Sequence, residues 1–83
     1  MQLPIIHLNG TGRTTLTREY TEALDKLTDA IAAFRAITVN GRDYYPAGPT
    51  AIETALEQHL EAEQHLNATK AHLEAVLIHL TTL

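Results

Sequence analysis

Leu16, Tyr20, Leu24, Leu27, Ile31 and Phe34 follow one another at steps of three and four residues. That spacing keeps one side of a helix apolar and turns the intervening polar residues outward. It predicts a helix over residues 15–38, with Thr14 or Thr15 as its cap and Glu19 near its positive end. Asn40-Gly41 supplies the stop signal. A second pattern opens at Thr50-Ala51-Ile52-Glu53, which has the spacing of a capping box, with Pro49 just before it. Neither glycine nor proline occurs from Thr50 to the end of the chain, so a second helix is expected over residues 50–82. Ile52, His59, Leu66, Leu73 and Leu80 form one line along it, and Ala55, Ala62, Thr69, Val76 and Leu83 the neighbouring line. A seven-residue period favours nearly parallel, left-handed packing against other helices.

Ahead of the helices, Leu3, Ile5, Ile6 and Leu8 surround Pro4. This reads as a β-type or extended segment ended by Asn9-Gly10-Thr11-Gly12. The expected fold class is therefore all-α. Residues 1–83 make one helical-hairpin domain, with an extended arm at 1–13, antiparallel helices at 15–38 and 50–82, and a connecting loop at 39–49. The second helix, at about 48 Å, outruns the first, at about 35 Å. The excess is expected at its C-terminal end, exposing Val76, Leu77, Leu80 and Leu83 unless the arm or a second subunit covers them.

Size changes the picture most. The chain has 83 residues and no cysteine. A domain so small buries only about 60% of the surface its unfolded chain exposes, and no disulfide or thiolate metal site can make up the difference. Two hairpins enclose a core where one cannot. A helical-bundle homo-oligomer is expected, a dimer or a higher even assembly. The formal net charge of −4 argues against general binding to nucleic acid. No apolar run approaches the roughly 18 residues of a membrane span, and the first residues do not read as a secretion signal. The expected location is cytoplasmic.

Two polar clusters carry the candidate chemistry. In the loop, Asn40, Arg42, Asp43, Tyr44 and Tyr45 stand on a backbone stiffened by Pro46 and Pro49. Arg42 offers a planar fork of donors that matches phosphate or carboxylate. Tyr44 and Tyr45 offer faces for a base, and Asn40 and Asp43 suit polar groups. The competing reading is a structural turn, in which one tyrosine packs on the hairpin tip and Arg42 pairs with Asp43. The second cluster, His7, Asn9, Thr11 and Arg13, lies just before a helix N-terminus, where free N–H groups attract anions. It lacks the lysine and spacing of a phosphate loop, and a glycine-rich helix start needs no ligand. In a hairpin the two clusters fall at opposite ends; head-to-tail packing of two subunits would bring them together as two composite sites.

His65, His72 and His79 repeat every seven residues, about 10.5 Å apart along a helix, too far to share a metal. Glu61 with His65, and His59 with Glu63, have chelating spacing but supply only two ligands each. No metal or cofactor is expected. Catalysis is not expected either, since serine and cysteine are absent and no carboxylate pair sits in an apolar run.

At Asn40-Gly41-Arg42-Asp43-Tyr44-Tyr45-Pro46, together with His7-Leu8-Asn9-Gly10-Thr11, the chain resembles small helical proteins encoded by phages and prophages. In general build it is similar to phage anti-defence sponge proteins, small helical oligomers that sequester nucleotide immune signals without cleaving them. The resemblance implies a non-catalytic partner for a cyclic ADP-ribose derivative or a cyclic oligonucleotide. The alternative is a structural or adaptor protein of phage assembly that acts through protein contacts.

Overall fold

Gly12 opens the first helix by leaving its backbone extended (φ −64°, ψ 153°), so its carbonyl accepts from the Leu16 amide at 3.0 Å. A computed structural model describes residues 1–82 of the chain. In it, helix α1 spans Arg13–Arg35 and helix α2 spans Ala51–Thr81, and no strand occurs among the described residues. The molecule is all-helical. The arm makes no β structure; it ends in a turn in which the Gly10 amide donates to the His7 carbonyl at 3.2 Å. Leu83, expected on a packing line and in the overhang, lies outside the described residues.

Both helix starts differ from expectation for one physical reason. A capping hydroxyl reaches the helix amides only from extended backbone. At α1 the residue in that conformation is Gly12, which places Thr14 and Thr15 inside the helix. At α2 the capping residue is Thr50, but its backbone is helical (φ −99°, ψ −4°) and its side chain makes no cap bond. The capping box expected from Thr50 and Glu53 does not form. Instead the Ala51 amide donates to the Gly48 carbonyl at 3.3 Å, and the Thr50 carbonyl accepts the Thr54 amide at 3.2 Å.

Helix α1 stops at Arg35, three residues short of the expected end. Ile37, Thr38 and Val39 follow in succession, and β-branched side chains lose rotamer freedom against the preceding turn of a helix. Two short 3-10 turns, Gly41–Asp43 and Tyr45–Ala47, then fold the link. Gly48 has φ +113°, a backbone region that is essentially glycine's alone, and it redirects the chain into α2.

The helices run antiparallel. Phe34 stacks on His59 with ring centroids 4.3 Å apart and planes 14° from parallel. The Arg35 Nε donates to the Glu63 Oε1 at 2.9 Å. At the other end Thr14 and Thr17 flank a shallow groove with Leu80 and Thr81. This register corrects the expected overhang. The N-terminus of α1 meets the last turns of α2, so Val76 and Leu80 are 1% and 0% exposed. The surplus of α2 lies at the loop end, over residues 51–58, where the folded link runs beside it and Gly41 sits close to the Ile52 side chain. The arm returns along the C-terminal end of α2, and the His79 Nε2 lies 2.9 Å from the Pro4 carbonyl oxygen.

All six residues of the α1 stripe are buried or half-buried. Yet only Ile31, Val76 and Leu80 are fully buried among the described residues. The molecule is a rod of about 60 × 21 × 19 Å, and a single layer of two helices has no interior beyond their contact line.

Candidate functional site

The loop cluster is built by a local device. The Asn40 backbone is extended, and its Oδ1 accepts the Arg42 amide at 3.2 Å, capping the first 3-10 turn. The Asp43 amide donates to the Asn40 carbonyl and the Tyr44 amide to the Gly41 carbonyl, both at 3.0 Å. The second turn follows at once, with the Ala47 amide on the Tyr44 carbonyl at 2.9 Å. Asn40 and Tyr44 are half-buried, whereas Arg42, Asp43 and Tyr45 are exposed, Tyr45 at 75%. Arg42 and Asp43 do not pair; Arg35, at the end of α1, pairs with Glu63 of α2. Structural work and exposed chemistry are thus divided within five residues. Asn40 and Tyr44 serve the turn, and Arg42, Asp43 and Tyr45 project from it.

The arm cluster lies at the far end of the rod. His7, Asn9 and Thr11 are exposed. The His7 ring rests against Gly10, where an added Cβ would come within 2.8 Å of Nε2. Arg13 is the first residue of α1, and no acidic side chain occupies that first turn. Arg13 also borders the groove formed with Thr14, Thr17, Leu80 and Thr81. Within one chain the length of α1, about 35 Å, separates this cluster from the loop. The structure therefore leaves His7, Asn9, Thr11 and Arg13 at one end of the rod, and Asn40, Arg42, Asp43, Tyr44 and Tyr45 at the other.

The histidines have divided roles. His59 packs on Phe34, His79 meets Pro4, and His65 and His72 are exposed. No group of three or more histidine, aspartate or glutamate side chains is placed to hold a metal among the described residues. None of their helices is long and apolar enough to cross a membrane.

Sequence reasoning did not find the Phe34–His59 stack or the Arg35–Glu63 pair. The signal for the first was present, since Phe34 ends the apolar stripe of α1 and His59 stands on the Ile52–Leu80 line. The second depends on the register between helices, which one helix's periodicity does not contain. Among known proteins, no family model, no curated sequence and no solved structure matches the chain.

Proposed function

We propose that the protein is a non-catalytic binding protein that acts as a homo-oligomer. In this reading the Arg42–Tyr45 loop captures a nucleotide-derived anion, and the resemblance to anti-defence sponges makes that anion an immune signal to be sequestered. The observation that carries the reading is the loop's internal economy. Its fold is satisfied by backbone bonds and the Asn40 cap, which leaves Arg42, Asp43 and Tyr45 exposed and uncommitted to it. Arg42 would hold phosphate through a charge-assisted fork. Tyr45 would stack on the base, an interaction worth on the order of 1–3 kcal/mol. Tyr44 would edge the base from its half-buried position, while Asp43 and the remaining donors of Asn40 would read polar groups. A second subunit's His7, Asn9, Thr11 and Arg13 would complete the site. Cyclic ADP-ribose derivatives and cyclic oligonucleotides suit this set of side chains.

A panel of such compounds in a thermal-shift assay tests the reading. At least one is expected to raise the melting temperature of the intact protein, and Arg42→Ala should abolish the rise without lowering the unliganded melting temperature. No shift across the panel, or a shift that Arg42→Ala leaves intact, overturns it.

One observation favours a second reading, an adaptor that meets another protein. Ile37 and Tyr45 are 56% and 75% exposed near the same end of the rod as the loop, and tyrosine and arginine anchor protein interfaces. Loop variants that lose a macromolecular partner while ignoring every nucleotide would support this reading over the first.

A further inference from the structure

In the arm, residues 1–12, Leu3 and Pro4 are half-buried and the other residues are exposed. The Pro4 carbonyl oxygen lies 2.9 Å from the His79 Nε2 in a part-buried contact. Pro4, Ile5 and Ile6 line a shallow hollow together with His79. A carbonyl oxygen only accepts, so the ring nitrogen that faces it must donate. The contact therefore fixes the His79 tautomer, with the proton on Nε2.

Burial differs along the rod. Of the six α1 stripe residues, Ile31 is fully buried and the others are half-buried, the usual result of two helices meeting along a line. At the arm end, where a third segment lies against the pair, Val76 and Leu80 are both fully buried. A helix advances about 100° per residue, so Val76 stands about 40° from Leu80 and about 60° from His79 on the other side. Leu80 borders the groove with Thr14 and Thr17 of α1, and His79 holds the arm. Val76 thus lies between the seam with α1 and the flank where the arm docks. The arm is held there by two half-buried side chains and one hydrogen bond. So light an attachment belongs to the low-stability end of a structure, where local opening costs least.

We propose that residues 1–6 form a strap that opens and closes over Val76, with the His79–Pro4 bond as its latch and the exposed turn at 7–12 as its hinge. Closed, the strap seals the end of the seam between α1 and α2 and keeps His7, Asn9 and Thr11 at that end of the rod. Open, it uncovers an apolar cleft at Val76 and lets the arm swing from Arg13 with a reach of about 40 Å. His79 is a positioning residue here, and the device stands whether or not the loop captures an anion.

The native chain has no cysteine, so a single thiol at Val76 reports the cover. In Val76→Cys protein a thiol reagent should react slowly. Adding His79→Ala should speed the reaction about fivefold or more, the factor that one hydrogen bond is worth. His79→Gln, whose side-chain amide donates from a similar position, should restore the slow rate. In Ile31→Cys protein the thiol is buried about 27 Å along α1 from Arg13, and His79→Ala should leave its rate unchanged. An unchanged rate at Val76→Cys on adding His79→Ala overturns the proposal. So does an equal acceleration at Ile31→Cys, which would mean general loosening, or a His79→Gln rate as fast as that of His79→Ala. In the unaltered protein, nitrogen NMR of the neutral His79 ring should find the proton on Nε2; a proton on Nδ1 removes the latch.

Discussion

Gly48 and Thr50 stand two positions apart, and the residue whose role was less conspicuous in the sequence matters more. Gly48 holds φ +113° and ψ 166°, where a Cβ costs of order 1–3 kcal/mol. Space is not the obstacle, because no atom would lie within 4 Å of the new Cβ. Gly48→Ala should therefore lower stability in urea unfolding by about that amount through backbone strain alone. Thr50 looks like a helix cap, and losing such a cap typically costs about 1 kcal/mol. Its side chain makes no cap bond, so Thr50→Ala should change stability by less than about 0.5 kcal/mol, as for an ordinary surface position. The same urea titration compares the two, and a Thr50→Ala loss near 1 kcal/mol would restore the capping box. Both outcomes depend on φ and ψ, which residue identity suggests and tertiary context sets.

The two helices were legible because their apolar residues recur with the period of a helix, and every residue of the Leu16–Phe34 stripe is buried or half-buried. Their ends were less so. Gly12 and the run Ile37-Thr38-Val39 shift α1 toward the N-terminus, and that shift sets which part of α2 is left over. Leu80 is the measure of it. Expected in an overhang that the arm or a second subunit would have to cover, it is 0% exposed, with the first turns of α1 beside it and the arm held at the neighbouring His79. Leu80→Ala should accordingly cost about 2–5 kcal/mol, the range for a truncated core leucine. Leu56→Ala, at a position 50% exposed in the single chain, should cost the folding of that chain much less. Thermal unfolding of both variants at equal concentration checks the contrast; equal losses would mean the register is wrong. The Arg35–Glu63 pair adds little to this register. Its side chains are 57% and 24% exposed, and a partly solvated pair is worth about 1 kcal/mol at most.

At the scale of the molecule, a rod with three fully buried residues among those described is an incomplete enclosure of its own apolar surface. The polar clusters occupy opposite ends of one chain. The sequence by itself determined the helical class, the two apolar stripes and the residues of the loop and arm clusters, since these follow from period and side-chain chemistry. Only the tertiary structure decided the register between helices, the end at which α2 runs on, the docking of the arm through His79 and Pro4, and the division of labour between Asn40 and Arg42. Those depend on which surfaces meet across long stretches of chain, and a local pattern of residues does not encode that meeting.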